Sequence, residues 1–223
     1  MNHAPDNDHL RQVALFSPMC PAVRRAMAAA GEVLAVAKGH VVDVRGQDAL
    51  IVLLSGAVAL SVQETDRQAI LSTVRRPQAL NLACVMARAG CPIRWRALEA
   101  TSVLILPGAI FRSALADDAS LAARAFGELA EAYQQLLSGA AGQRLQTAQR
   151  RVADYLLSLV SARRGKAMVQ LPYEKHLLAS LLGMTPENFS RALGRLSEHG
   201  VSVRGADIDI TKVERLRAAL IGM

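Results

Sequence analysis

The sequence predicts an α+β chain in three parts: an antiparallel β-barrel, one long helix, and a helix pair followed by a hairpin. Three observations predict it. Between Glu32 and Val74, short apolar runs alternate with turn signals every seven to ten residues, the mark of a sandwich or barrel. Between 117 and 145, apolar and small residues recur at helical spacing. Between Leu171 and Ser197 lie two helical stripes joined by a tight turn, and an alternation about Gly205 follows.

In chain order, His9 to Phe16 forms a short amphipathic turn or helix, which the segment from Ser17 to Pro21 breaks. Pro21 to Ala30 reads as a helix of small residues ending at Gly31. The period then changes. Val33, Ala35 and Ala37 alternate, and Val41, Val42 and Val44 form the next run. Leu50 to Leu54 is continuously apolar, Ala57 to Val62 alternates again, Gln63 to Arg67 is a polar turn, and Ile70 to Val74 is the returning strand. Gly39, Gly46 and Gly56 mark turns between these runs. Arg94 and Arg96 alternate about Trp95, which places the arginines on an exposed strand face and Trp95 in the core. Ser102 to Leu106 closes the barrel, and Ala109 to Ala116 is a short helix.

Asp117 or Asp118 is the expected N-cap of the long helix. Ala122, Ala125, Leu129, Ala132, Leu136, Gly139 and Gln143 follow the 3-4-3-4 spacing of a coiled-coil seam. Phe126, Tyr133 and Leu137 form a second apolar side, expected to pack on the barrel while the seam meets a second subunit. Gly139 to Gly142 is expected to loosen the helix, with a hinge near 139–146. Leu145 to Val160 then forms a helix burying Val152, Leu156 and Leu159. A basic loop, Ser161 to Lys166, leads to a short strand at Met168–Leu171. The expected domains are therefore 1–116, 117–145 and 146–223.

The first helix of the pair carries Leu177, Leu178, Leu181 and Leu182 at helical spacing, with Pro172 at its start and Gly183 at its stop. Thr185, Pro186 and Glu187 begin the second, as N-cap, first helical residue and first-turn carboxylate. Phe189, Leu193 and Leu196 form its buried stripe; Glu187, Ser190, Arg191, Gly194 and Arg195 face away. An Arg can bond guanine O6 and N7 with both arms, and a Glu can accept from cytosine N4. In a helix-turn-helix the start of the second helix enters the major groove while the first crosses the backbone. Val201 to Ile210 would be the adjoining wing, and Thr211 to Glu214 fits a capping box for a last helix. Two packed helices with a solvated charged face would carry the same residues, but the wing and the charge distribution favour DNA.

The formal net charge is +7 and the pI about 9.9. Residues 139–223 carry 13 Lys and Arg against 7 Asp and Glu, a difference of +6; residues 1–138 carry 13 against 12, a difference of +1. The basic excess thus falls on the helix pair, where an anionic partner such as double-stranded DNA would sit. Hydrophobic residues make up 52% and aromatics only 4%, so Leu, Val and Ala must fill most of the core. No apolar run is long enough to span a bilayer and the N-terminus lacks a signal-peptide core, so a cytoplasmic location and no membrane partner are expected. No Ser/His/Asp grouping, phosphate loop or paired carboxylates stand out, and an enzyme is not expected.

Glu187, Ser190 and Arg191, following Leu182-Gly183-Met184-Thr185, resemble the recognition helix of Crp/Fnr bacterial transcription regulators, and their Glu-x-x-Ser-Arg arrangement resembles the Fnr-like branch. The resemblance implies that these three side chains read a TTGA-type half-site. Thr185, Asn188, Arg195 and Lys175 are then expected to position the DNA backbone. It also implies a cyclic-nucleotide-binding-like jelly-roll, a dimerisation helix and a winged helix-turn-helix. A homodimer on a pseudo-palindrome follows, with RNA polymerase as a further partner if the protein activates.

Cyclic-nucleotide binders of this fold carry a Gly-Glu pair and an Arg-Ser or Arg-Thr pair. Here the region reads Arg76 to Cys84 and then Gly90 to Arg94; the Gly-Glu pair is missing, and Cys91 stands at the Arg position by its distance from Ala97 and Pro107. A buried phosphate without its partner charge is costly, which argues against cyclic AMP. Cys20, Cys84 and Cys91 are too few and too scattered for a disulfide framework or for the iron–sulfur cluster of oxygen-sensing relatives. Haem stays open, with His40, Cys84, Met86 and Cys91 as candidate ligands beside the plainer reading of core sulfurs and an edge histidine. Cys91, near Arg94, is the candidate reactive thiol. No metal site is expected. The rival to a DNA-binding regulator is a small-molecule- or haem-binding module whose C-terminal helices bind protein.

Overall fold

The computed structural model describes residues 10–42, 46–64 and 67–220. The chain divides into two compact units, 1–134 and 135–223.

In the first unit, a 3-10 turn (Ala14–Phe16) and helix α1 (Pro21–Ala30) precede eight strands: β1 (Glu32–Val36), β2 (Val41–Val42), β3 (Ala49–Ser55), β4 (Val58–Glu64), β5 (Arg67–Val74), β6 (Gln78–Ala79), β7 (Ile93–Ala97) and β8 (Thr101–Pro107). Helix α2 (Leu82–Ala87) lies between β6 and β7. The strands form two antiparallel four-stranded sheets, ordered β1-β8-β3-β6 and β2-β7-β4-β5. The continuous apolar run at 50–54 has a simple cause: β3 is buried on both faces. Leu50, Val52 and Leu54 pack under the helices, while Ala49, Ile51 and Leu53 pack between the sheets. Val33 and Val36 are the buried residues of β1; Ala35 and Ala37, expected to alternate with Val33, are exposed. Trp95 is buried between the sheets, as its alternation with two arginines predicts. Gly56 is required twice over. Its φ is +88°, and a Cβ there would lie 2.6 Å from the Ala100 carbonyl. Buried Asn81 ends β6 by completing the ladder of β3: its Oδ1 accepts from Ile51 N at 2.9 Å, and its Nδ2 donates to Ala49 O at 2.8 Å. His9, Val44 and Arg45, and the Thr65-Asp66 tip of the polar turn, lie outside the described residues.

Helix α3 (Gly108–Asp117) leads to the long helix α4 (Ala119–Leu145). Asp118 caps α4, its Oδ1 accepting from Ser120 N at 2.9 Å and Leu121 N at 3.1 Å. Two expectations for α4 are overturned. The helix runs unbroken through Gly139 and Gly142 to Leu145, because neither glycine is asked for a non-helical conformation. The side expected to pack on the barrel is open instead, and of the expected seam Ala125 and Leu129 pack at home while Leu136 stays open. Leu121, Ala125 and Leu129 pack into the core of the first unit, whereas Phe126 (67% exposed), Tyr133, Leu136 and Leu137 are open. Two apolar stripes on one helix leave the inward side to be decided by the shape of the neighbouring elements.

The second unit holds α5 (Ala148–Ser158), β9 (Ala167–Gln170), α6 (Lys175–Leu181), α7 (Pro186–Arg195), a 3-10 turn (Leu196–His199), β10 (Val201–Arg204), β11 (Asp207–Ile210) and α8 (Val213–Ala219). Its core joins Val152, Leu156, Leu157, Leu178, Phe189, Leu193, Leu196, Ile208 and Leu216. In α5, Leu157 takes the inward place expected for Leu159, which lies past the helix end. Helix α6 begins at Lys175, three residues beyond Pro172, so that proline precedes the helix and does not open it. The hairpin at Gly205 forms as expected, and β9 adds a third strand in the order β10-β11-β9. The capping box at 211–214 does not form. Thr211 Oγ1 instead donates to Gly200 O at 3.1 Å, and the Glu214 carboxylate accepts from Gly165 N at 2.8 Å. Both side chains thus tie α8 to distant loops, and Lys212 stands at the N-cap without a side-chain bond.

Candidate nucleic-acid interface

Helix α7 is built by signals within a few residues of one another. Thr185 Oγ1 accepts from Asn188 N at 3.3 Å, and Pro186 occupies the first turn, where no N–H is needed. Gly183 turns the chain before it with φ +64°, the left-handed conformation that favours glycine. Phe189, Ala192, Leu193 and Leu196 are buried, and Glu187, Ser190, Arg191, Gly194 and Arg195 are exposed, the division expected from spacing. Thr185 and Asn188 are exposed at the helix start, and Lys175 is exposed at the first residue of α6.

The polar face is organised. Arg191 donates from a guanidinium nitrogen to Asn188 Oδ1 at 2.6 Å, one turn earlier. Hydrogen bonds from its own backbone N–H and from the Thr185 side chain hold the Glu187 carboxyl below its usual range, and the Arg191 charge adds to this. Glu187 is therefore an acceptor at neutral pH. Asn188, Arg191 and Arg195 line a cleft of about 760 Å³ whose other wall includes Thr147, Gln149 and His199. Thr147 caps α5 by accepting from Arg150 N at 3.2 Å, so the start of that helix opens on the same cleft.

Sequence reasoning missed Arg151. From α5 it donates to the carbonyls of Leu182 (2.6 Å) and Gly183 (3.2 Å) and so clamps the turn between α6 and α7. These contacts span more than thirty residues and leave no mark in local spacing. Thr147 was discoverable, being a threonine directly before a helical stripe.

The ligand candidates of the first unit divide. His40 is exposed at the turn after β1. Met86 packs against the core beneath the helices, and Cys84 packs against the core between the sheets. Cys84 and Cys91 come together, with sulfurs 3.0 Å apart, and Cys20 is exposed. Among the described residues no group of three or more His, Cys, Asp or Glu is placed to hold a metal ion, and no helix is long and apolar enough to cross a membrane.

Residues 150–219, which include α6, α7 and the hairpin, match the family of Crp-like helix-turn-helix domains, and this region is a domain of that kind. Over its length the chain has the fold of Crp/Fnr-type regulators: a cyclic-nucleotide-binding-like sandwich, a long helix and a C-terminal helix-turn-helix. A candidate cyclic nucleotide binding protein from Ruegeria pomeroyi DSS-3 is 27% identical, with 96% of each chain covered and a TM-score of 0.58. FixK2 from Bradyrhizobium japonicum is 21% identical over 84% of this chain and 96% of its own, at a TM-score of 0.69. The c-di-GMP responsive global regulator CLP of Xanthomonas campestris is 17% identical over 86% and 99%, at 0.72. No curated protein sequence matches the chain.

Proposed function

We propose that this protein is a sequence-specific DNA-binding transcription regulator of the Crp/Fnr type, acting as a homodimer on a TTGA-like palindrome. The observation that carries the reading is the face of α7. Glu187, Ser190 and Arg191 point outward together over a helix whose other side is fully buried, and Arg191 and Arg195 continue into a cleft at the start of α5. Arg191 supplies most of the base discrimination, Glu187 pairs with it across the same base steps, and Ser190 assists. Lys175, Thr185, Asn188 and Arg195 meet phosphates. The open stripe of Phe126, Tyr133, Leu136 and Leu137 on α4 supports pairing with a second copy, which would present two reading helices to a two-fold site. RNA polymerase is the further partner if the protein activates.

The name of the Ruegeria relative points to a cyclic nucleotide, but the residues here favour an effector other than cyclic AMP. Cys91, at the place read as the phosphate-binding Arg, is buried beside Cys84 and offers no positive charge.

The test is binding to a TTGA-type palindrome and to a scrambled duplex across a salt series. Arg191→Ala should lose about 1–3 kcal/mol on the palindrome, roughly 5- to 150-fold, and little on the scrambled site. Arg195→Ala should weaken both alike and flatten the salt slope. Equal affinity of wild type and Arg191→Ala for the palindrome would overturn the reading. Salt-independent failure to retain any DNA would favour a module that binds protein through these helices.

A further inference from the structure

The sequence separates Cys84 and Cys91 by seven positions and gives no sign that they meet. The fold brings them together. Cys84 sits on the short helix α2, and Arg88, at its end, takes a left-handed conformation (φ 52°) that is uncommon for a side chain of its size. Ala89 N donates to Cys84 O at 3.1 Å, and the chain folds back so that the Cys84 thiol donates to Cys91 Sγ at 3.0 Å. Cys84 is half-buried and Cys91 is buried at the edge of the sandwich core.

We propose that Cys84 and Cys91 are a redox modification site that a peroxide converts to an intramolecular disulfide. A sulfur–sulfur bond is about 2.05 Å, so the two atoms need to approach by only about 1 Å. Shared metal ligation fits less well. Two thiolates each about 2.3 Å from a tetrahedral ion stand roughly 3.7 Å apart. No third His, Cys, Asp or Glu completes such a set among the described residues.

The chemistry balances with one peroxide. One sulfur attacks the O–O bond and becomes a sulfenic acid, and the displaced hydroxide leaves as water with the thiol proton. The second sulfur attacks the first, the S–O bond breaks, the S–S bond forms, and the second thiol proton leaves with the hydroxyl as water. The pair loses two electrons and the peroxide gains them. Burial first, and the hydrogen bond with Cys91 second, push the Cys84 thiol up to about 12. Its thiolate is therefore scarce at neutral pH, and disulfide formation should quicken as pH rises. The site is also tied to its surroundings. Val85, next to Cys84, gives its carbonyl to Arg112 of α3 at 3.1 Å, and Arg112 holds Asp48 through both nitrogens at 2.6 and 2.7 Å.

Trypsin cleaves after Arg88, between the two cysteines, and so reports the bond directly. In a Cys20→Ser background, folded protein treated with hydrogen peroxide should yield peptides 76–88 and 89–94 joined, and dithiothreitol should part them. Cys84→Ser or Cys91→Ser in that background should abolish the joined product. The disulfide should also raise the melting temperature of the first unit by several degrees, reversibly, because it closes a loop in the unfolded chain. The proposal is overturned if both cysteines return in separate peptides, as thiols or as sulfinic acids, under conditions that oxidise exposed Cys20 in the wild type. A joined product that forms only after the protein is unfolded would also overturn it, because the bond would then not belong to the native fold. Neither readout depends on DNA binding.

Discussion

Helices α7 and α4 are both amphipathic, yet one turned out as its spacing predicts and the other did not. In α7 every large apolar residue lies on one side: Phe189 and Leu193 are buried, as is Leu196 just past the helix end. In α4 apolar residues lie on two sides, and the division differs from the expected one: Ala125 and Leu129 of the seam assigned to the partner are covered together with Leu121, while Leu136 of that seam is open with Phe126, Tyr133 and Leu137. Periodicity identifies stripes. It ranks them only when there is a single stripe to rank, because burial energy depends on the shape offered by the neighbouring element as well as on apolar area.

The largest expected effect tests the single-stripe case. Phe189→Ala removes a wholly buried ring from the second unit and should cost about 3–5 kcal/mol, measured by chemical denaturation. A cost under about 1 kcal/mol would mean that the stripe of α7 is not its anchor. The next effect separates the two sides of α4. Leu121→Ala should destabilise the first unit by about 2–5 kcal/mol. Phe126→Ser should leave the stability of the protomer within about 0.5 kcal/mol and instead shift sedimentation toward monomer. Equal destabilisation by both changes would place Phe126 inside and restore the original assignment.

The smallest effect concerns the cap of α4. Hydrogen bonds from Ser120 first, and from the Leu121 backbone next, hold the Asp118 carboxyl below its ordinary 3.8. Its folded value is depressed, so its stabilisation is fully present above 3.8 and is lost as pH falls through the lower folded value. Wild type and Asp118→Ala should therefore differ in melting temperature at pH 6 and converge as acid protonates the cap. A gap that stays constant down to strong acid would show that the charge plays no part.

Much of the candidate DNA face was legible because its signals are local. A threonine cap, a proline at the first turn, a left-handed glycine and a stripe three and four residues apart each act over one helical turn, so neighbours in sequence are neighbours in space. Other local patterns misled. Thr211 and Glu214 have capping-box spacing, but Gly200 and Gly165 compete for them through the tertiary fold and win. Arg151 carried no readable role, because its partners Leu182 and Gly183 belong to a turn that only the packed domain delivers to it.

From the residues alone came the three-part architecture, the outward set of Glu187, Ser190 and Arg191, the hairpin at Gly205 and the aspartate that opens α4. Each rests on backbone geometry repeated over a few positions. The folded chain alone decided which side of α4 turns inward, what Thr211 and Glu214 hold, and that two separate cysteines become neighbours. Those outcomes depend on how distant segments fit together in space, and the spacing of residues along a chain does not contain that information.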